Sequence, residues 1–230
     1  MGQPESYEMH VILMGAQGAG KGTQAARVAP QLGLIHLSTG ELFREAMASG
    51  SELGKRIQVT YDRGELIPDD LTLSLVDARL NEIAAIEGVN GALFDGFPRT
   101  RAQAVGLDEM LGARGEELRA VIEVSVPLEV LINRLTGRRV CPNCGATYHL
   151  DHNPPRRPGI CDRCGHQLIQ RADDQPDPIK RRLALYFEQT APLLDYYRER
   201  GLLVEVDGNR TMDEVEMDIL RAVDRIGSAA

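Results

Sequence analysis

Residues 15–23 read GAQGAGKGT, and they directly follow the mostly apolar run HVILM at residues 10–14. The spacing G-x-x-x-x-G-K, from Gly15 to Lys21, is typical of a phosphate-binding loop between a buried strand and a helix. Its glycines let successive backbone N–H groups point at phosphate oxygens, the helix adds its positive end, and Lys21 can bridge two phosphates. Gly22 follows the lysine in place of the usual Ser or Thr, so the strict pattern fails at its last position. A glycine-rich turn without a ligand is the alternative interpretation, which the flanking strand and helix disfavour.

Short apolar runs alternate with helical patterns along most of the chain, which predicts an α/β fold in three layers, a parallel sheet with helices on both faces. Strands are predicted at residues 10–14, 92–95, 120–126 and 203–206, with a fifth candidate at 34–37. Helices are predicted at residues 20–32, 71–86 and 178–200, the last with Pro192 inside it. Residues 38–67 are predicted to be mostly helical, with breaks at Gly50, Gly54 and Gly64.

The overall composition narrows the class of protein. The net charge of −8 argues against a general nucleic-acid binder, because such a protein needs a positive field to displace counterions. The first ten residues lack the basic and apolar regions of a signal peptide, and the apolar runs are too short to span a membrane. A cytoplasmic monomer with no nucleic-acid or membrane partner is therefore expected.

The four cysteines form two C-x-x-C pairs, with sixteen residues between Cys144 and Cys161. This spacing is typical of a zinc ribbon, and four thiolates leave no open position, so the metal would be structural. The alternatives are iron in the same thiolate set, four free thiols, two disulfides, or His149, His152 or His166 as competing ligands. The predicted zinc ligands are Cys141, Cys144, Cys161 and Cys164.

Several further motifs carry a family resemblance. They are STG at residues 38–40, GELIP at 64–68, DGFPR at 95–99, GRRV at 137–140 and RADD at 171–174. With the glycine loop, they resemble the nucleoside monophosphate kinases, and their order and spacing resemble those of adenylate kinases of the long-lid type. The resemblance covers residues 9–225. The family usually has proline where this chain has Gln17, so this loop is expected to be less preorganised.

This resemblance implies reversible transfer of a phosphoryl group from Mg-ATP to AMP, which gives two ADP without a covalent enzyme intermediate. It also implies a core P-loop domain of residues 1–37, 68–136 and 175–230, an AMP-binding flap of residues 38–67 and a zinc lid of residues 137–174. Closure of the lid would exclude water, which could otherwise accept the phosphoryl group. The implied cofactors are Mg²⁺ with ATP and structural Zn²⁺.

The resemblance also assigns the site residues. Implied ATP contacts are Gly18, Ala19, Gly20, Lys21, Gly22, Thr23, Arg138, Thr147, Tyr148 and Arg210. Implied AMP contacts are Thr39, Arg44, Glu65, Leu66, Ile67, Gly96, Phe97, Pro98, Arg99, Gln103, Arg171 and Arg182. The residues expected to act on the transferring phosphoryl group or on Mg²⁺ are Lys21, Asp95, Arg99, Arg134, Arg138, Arg171 and Arg182.

Elementary chemistry supports several of these assignments. Arginines can fork onto a phosphate, and the amide of Gln103 can read an adenine edge through its donor and acceptor groups. Asp95, at a predicted strand end, could orient Mg²⁺ through its waters, or could be an ordinary turn residue. Arg134 and Arg138, four residues apart, are expected on one face of a helix that begins near Glu129.

Three other functions remain open from the sequence. An ATP-dependent nucleic-acid protein could also carry a zinc ribbon, although the acidic balance and few aromatics disfavour it. A kinase for UMP or CMP would usually have a short lid, whereas this one is long. GTP could replace ATP as the donor, because contacts to the donor base are made partly by the backbone.

Overall fold

The structure is a computed structural model that describes residues 9–63 and 65–227. The sequence also predicts a short N-terminal extension at residues 1–8; this extension, the predicted break at Gly64 and residues 228–230 lie outside this part of the chain. The strands are β1 (Met9–Met14), β2 (Ile35–Ser38), β3 (Ala92–Asp95), β4 (Glu117–Ser125), β5 (Arg138–Val140), β6 (Thr147–His149) and β7 (Leu203–Asp207). The helices are α1 (Lys21–Gln31), α2 (Thr39–Ala48), α3 (Glu52–Asp62), α4 (Asp69–Ala84), α5 (Arg101–Arg114), α6 (Leu128–Thr136), α7 (Pro176–Leu185), α8 (Leu193–Glu199) and α9 (Met212–Gly227).

The central sheet is parallel and has the strand order β2-β3-β1-β4-β7. Successive side chains of its central strand enter different cores, as the pleat of a strand requires. Val11 and Leu13 pack with residues of α1, α7 and α9. Ile12 and Met14 pack with residues of α4, α5 and α8. Helices therefore cover both faces of the sheet, which confirms the predicted three-layer α/β fold.

The register of the central strands brings two motifs together. Leu13 of β1 pairs with Asp95 of β3, so the glycine loop after β1 and the DGFPR segment after β3 leave the sheet side by side. In an open α/β sheet, ligands bind in the crevice outside the carboxyl ends of the strands. The topology therefore puts both motifs at the edge where a site is expected.

Two expectations about helices are wrong. The predicted helix over residues 178–200 is broken, because a π-helical turn at Tyr186–Thr190 separates α7 from α8. The backbone N–H of Ala191 donates to Tyr186 O across this turn, and Pro192 follows with no N–H of its own. Gly54 was expected to break a helix, yet it lies inside α3. There it allows a close approach to α2, since a Cβ would be 2.1 Å from Ala46 O.

The expected helix face shared by Arg134 and Arg138 is also wrong. Helix α6 ends at Thr136, and Arg138 is the first residue of strand β5. Gly137 lies between them, packed so closely under His149 that a Cβ would be 2.2 Å from its Nε2 atom. The chain therefore turns out of the helix before it reaches Arg138.

The four-cysteine segment has little regular structure. Strands β5 and β6 form an antiparallel pair, and Val140 bridges to Ile169. Its buried cluster consists of Cys141, Tyr148, Cys161 and Leu168. We call residues 137–174 the cysteine module and the pair α2–α3 the helix pair. None of the helices in the described ranges is long and apolar enough to cross a membrane.

Candidate active site

The glycine loop wraps its own lysine. Gly20 caps α1 with a left-handed backbone, φ 98°, a conformation that favours glycine. Lys21 Nζ donates to the carbonyl oxygens of Gly15 at 2.7 Å and Ala16 at 3.0 Å. The ammonium group is therefore held inside the loop, beside the N-terminal end of α1, where an anion is favoured.

The glycine after the lysine has a structural reason. A Cβ on Gly22 would lie 3.2 Å from Asp95 Oδ2, closer than ordinary van der Waals contact. The departure from the strict P-loop pattern thus lets the first turn of α1 approach the acidic end of β3. The sequence shows that Gly22 departs from the pattern, but it does not show the contact with Asp95, which is more than seventy residues away along the chain.

Lys21 and Asp95 form the electrostatic centre of the site. Burial lowers the pKa of Lys21 to about 8, with further lowering from Arg99, Arg182 and Arg138 and an opposing effect from Asp95. Burial alone would raise the pKa of Asp95, but His36, Lys21 and Arg99 together outweigh burial and lower it. Asp95 is therefore an anion at neutral pH, as a group that orients a divalent cation must be.

His36 was missed by the sequence analysis. It is the second residue of β2, and its Nε2 is 3.4 Å from Asp95 Oδ2. In the parallel pair of β2 and β3, His36 stands opposite Leu93, two residues before Asp95, so its contact with Asp95 is diagonal across the two strands. The predicted strand at 34–37 was the available signal, since it ran into the STG motif beside the glycine loop.

A large cavity of about 1610 Å³ lies between the glycine loop, the ends of β1 and β3, and the cysteine module. Thr147 and Tyr148 line it from the module, together with His152 and Arg163, which the sequence did not suggest. The implied ATP contacts from Gly18 to Thr23 all line this cavity. It is also lined by Arg44, Arg99, Arg134, Arg138, Arg171 and Arg210.

Several of these arginines are held by protein partners. Arg134 donates to Gly208 O at 3.0 Å, which ties α6 to the turn after β7. Arg138 Nε donates to Asp174 Oδ2 at 2.8 Å, and Asp174 is fully buried. Arg182 pairs with Asp173 at 2.6 Å. The two adjacent aspartates thus orient two arginines, and the side chain of Arg210 pairs outward with Glu214 and Asp218.

A smaller cavity of about 180 Å³ adjoins the helix pair and the DGFPR segment. Thr39 Oγ1 and Arg99 Nε both donate to Gly96 O, at 2.9 and 2.7 Å. Within the described residues, Arg44 and Arg171 line the large cavity and not this one. The implied AMP contacts that line the small cavity are Thr39, Glu65, Leu66, Ile67, Gly96, Arg99, Gln103 and Arg182.

Two of the implied AMP contacts, Gln103 and Phe97, also contact other parts of the protein. The amide of Gln103 accepts from Arg99 N and donates to Asp69 Oδ1, both at 2.8 Å. An amide has two N–H donors and two lone pairs, so one of each remains for a ligand. The side chain of Phe97 is 1% exposed and packs in the core, so its share in any site is made by the backbone.

The four cysteine sulfurs fit a metal. All four Sγ atoms lie within 4.8 Å of one another. The nearest pairs, Cys141–Cys164 at 3.4 Å and Cys144–Cys161 at 3.5 Å, are too far apart for disulfides, whose S–S bond is about 2.05 Å. A tetrahedral site with Zn–S bonds of about 2.3 Å needs sulfurs about 3.8 Å apart, which this cluster approaches. His149 is engaged elsewhere, its Nε2 lying 3.2 Å from Asn133 O.

These features together define a class. A parallel sheet that ends in a glycine loop around a half-buried lysine, with an aspartate beside it and two adjoining arginine-lined cavities, is the arrangement of a P-loop phosphotransferase.

Comparison with known proteins narrows the class. The family model described as adenylate kinase matches residues 13–202. The chain is 51% identical over 217 residues to the adenylate kinase of Moorella thermoacetica, covering 94% of this chain and 99% of that protein. It is 52% identical over 215 residues to that of Symbiobacterium thermophilum, covering 94% and 98%. With that of Staphylococcus epidermidis it shares 45% over 218 residues, covering 95% and 100%. The chain belongs to the adenylate kinase family.

Proposed function

We propose that the two cavities divide the adenylate kinase reaction between them, Mg-ATP in the large cavity and AMP in the small one. The observation that carries this proposal is that both cavities are lined by Arg99 and by the glycine loop. The γ-phosphoryl group of one substrate and the phosphate of the other would therefore meet at Arg99, the one cationic side chain that lines both cavities among the described residues. Direct transfer between them would give two ADP.

On the donor side, the glycine loop and Lys21 would hold the β- and γ-phosphates of ATP. Asp95, an anion beside this loop, would orient Mg²⁺ through its bound waters. Magnesium, when bound, would neutralise charge between the β- and γ-phosphates. Thr147 and Tyr148 of the cysteine module and the backbone at Arg210 would contact the nucleoside.

On the acceptor side, Thr39, the backbone at Leu66 and Ile67, and Gln103 would hold AMP. Arg99 is half-buried, with its Nε bound to Gly96 O, so its terminal N–H groups remain for a phosphate. Arg44 and Arg171 would reach that phosphate from the large cavity. The lining of the small cavity supports this assignment for Thr39, Leu66, Ile67, Arg99 and Gln103.

The chemistry needs charge stabilisation more than proton transfer. Phosphoryl transfer passes through a loose transition state whose charge spreads over three equatorial oxygens. Arg138 and Arg182, each fixed by an aspartate, would meet this charge without reorganising, as would Lys21 and Arg134. We assign no general base.

Four cysteines would hold a structural zinc ion that stiffens residues 137–174 as a lid, while residues 38–67 would form the AMP flap. The remainder, 1–37, 68–136 and 175–230, would be the core. A cytoplasmic location is supported by the metal-compatible thiols, which persist in reducing compartments. The acidic balance supports a monomer that binds neither nucleic acid nor membranes.

The deciding experiment supplies the purified chain with Mg²⁺ and ADP alone and follows ATP and AMP by phosphorus NMR. Equal amounts of ATP and AMP are expected, because neither an ATPase nor a UMP or CMP kinase disproportionates ADP. Lys21→Met should abolish the conversion, whereas Lys180→Met, an exposed lysine on α7, should leave it unchanged. Absence of conversion by the unchanged chain would contradict the proposal. GTP against ATP, with AMP as acceptor, then tests the donor base.

A further inference from the structure

Gln17 lies where the two cavities meet. The residues that line both are Gln17, Gly40, Gly96, Arg99, Tyr186 and Thr190. Of these, Gln17 and Arg99 carry nitrogen donors on their side chains, and Arg99 Nε already donates a hydrogen bond to Gly96 O. Gln17 is thus a neutral donor at the boundary between the two phosphate-binding regions.

The amide of Gln17 is incompletely satisfied within the described part of the protein. Its Oε1 is buried and has no hydrogen-bond partner there. A buried amide normally pairs both of its ends, since an unpaired polar group loses its hydration without compensation. The unpaired Oε1 is an acceptor, so an ordered water must complete it, whereas Nε2 is the end of the amide that can donate to a phosphate oxygen when ligands fill the two cavities.

The surrounding charge suits a neutral donor. Burial lowers the pKa of Arg99, and the charge of Arg182 lowers it further, so cations already crowd this place. Another cation here would add repulsion, and a carboxylate would pair with the arginines and compete with phosphate. An amide adds hydrogen-bond donors without changing the charge, and phosphate oxygens are strong acceptors for it.

We propose that Gln17 is a catalytic residue that touches substrate, donating from Nε2 to a phosphate oxygen at the junction when both cavities are filled. The inference rests on the proposed division of ATP and AMP between the cavities. Gln17 lines both cavities, so its hydrogen bond is expected to form with the pair of substrates and not with ATP alone. It therefore favours the arrangement in which the two phosphates face each other.

The test compares Gln17→Met, which keeps the length of the side chain and removes its hydrogen bonds, with the unchanged protein. The ligands are ATP and a dinucleoside pentaphosphate, in which five phosphates join two adenosines and so fill both cavities. Calorimetry should show binding of the pentaphosphate weakened about tenfold, the value of one hydrogen bond to a charged group, with ATP binding unchanged. In turnover, kcat should fall by a similar factor while the KM for ATP stays the same. Gln31→Met, an exposed glutamine on α1, is the matched control.

A merely structural role for Gln17 in the loop predicts a different pattern. ATP and the pentaphosphate would then weaken together, and that result, or no weakening of either, overturns the proposal. Gln17→Glu is the second variant, since it keeps the shape, removes the donors and adds a charge. Pentaphosphate binding by this variant equal to that of the unchanged protein would also overturn it. Failure of the unchanged protein to bind the pentaphosphate would instead refute the division of the cavities on which the inference rests.

Discussion

The helix pair and the cysteine module are small inserts at the same edge of the sheet, and they are held together by different forces. The helix pair buries Phe43 and Ile57 with Ile67, on faces that the helical period brings together. The buried cluster of the cysteine module contains two of the four clustered thiols, and Leu168 is its one aliphatic member. A segment of this size can therefore become ordered through a stripe of apolar side chains or through four ligands to an ion. The second solution makes its structure depend on something outside the chain.

The largest difference between the cysteine module and the helix pair is expected when metal is removed. Structural zinc supplies about 10–16 kcal/mol of apparent folding free energy in small modules, and this module has little apolar core to replace it. After chelation and return of Mg²⁺, we expect residues 138–170 to become sensitive to protease, the helix pair to stay protected, and ADP conversion to be lost. Limited proteolysis with mass spectrometry and metal analysis check this. A resistant, active protein without bound metal would show that the module holds itself.

The helix pair should respond to a cavity. Ile57→Ala removes a side chain that is 1% exposed and is expected to cost about 2–4 kcal/mol, because the apolar contacts are lost and the space fills incompletely. Hydrogen exchange along α3 and the KM for AMP should both rise, with metal content unchanged. Val59→Ala on the same helix, at a site that is 54% exposed, should have almost no effect. Equal effects of the two variants would mean that the helix pair has no core of its own.

The attachment of the cysteine module can be tested at Gly137. In Gly137→Ala the new Cβ would lie 2.2 Å from His149 Nε2, so His149 must move and its contact with Asn133 O must change. We expect a cost of about 1–3 kcal/mol, with faster hydrogen exchange in β5 and β6 and weaker ATP binding.

Gly112→Ala in α5 is the control for this substitution, since a Cβ there meets no atom of the described residues within 4 Å. It should stabilise the protein by about 0.5–1 kcal/mol, because alanine favours a helix over glycine. If Gly137→Ala behaved like Gly112→Ala, the close packing of His149 on this glycine would have no energetic role.

The smallest effect is expected for the pH dependence of Lys21, which lines the large cavity together with residues of both inserts. Its pKa is lowered to about 8, chiefly by burial, so Lys21 carries its proton below pH 8 and loses it as the pH rises above that value. The value of kcat/KM for ATP reports the free enzyme, so it should fall about tenfold per pH unit above pH 8. Lys21→Arg should remove this descent. An unperturbed lysine, with a pKa of about 10.4, would keep its proton up to about pH 9.5. A flat profile of kcat/KM between pH 7 and about pH 9.5 would therefore contradict the lowered pKa of Lys21.

The parts of the fold that the sequence predicted are those with a local hydrophobic pattern or with glycine and proline residues at their ends. The strand at residues 92–95 was predicted with its observed bounds, and β7 differs by one residue, because buried strands are short apolar runs. The hairpin of β5 and β6 was not predicted, since its three-residue strands are too short to show side-chain alternation. The break in the helix predicted at residues 178–200 was also missed, because Pro192 lies only after the C-terminal end of the π-helical turn.

The candidate site divides in the same way. The glycine loop and the cysteine spacing are local patterns, so their residues could be named from sequence. The bonds of Gln103 to Asp69, the contact of His36 with Asp95 and the pairs of Asp173 and Asp174 with arginines depend on pairing between distant segments. No spacing rule contains that information. The individual roles assigned to the arginines stay predictions.

The π-helical turn at Tyr186–Thr190 makes the length of this part of the chain critical. Each residue of an α-helix advances its direction by about 100°, and the wide turn absorbs one residue more than a regular turn would. Deleting a single residue here would convert the wide turn to a regular one and rotate everything after it, moving Tyr197 out of the core and Thr190 away from Arg99 O, to which it donates at 3.0 Å. Family members should therefore vary in length at the cysteine module and the surface turns, while the number of residues between Leu183 and Leu193 stays constant.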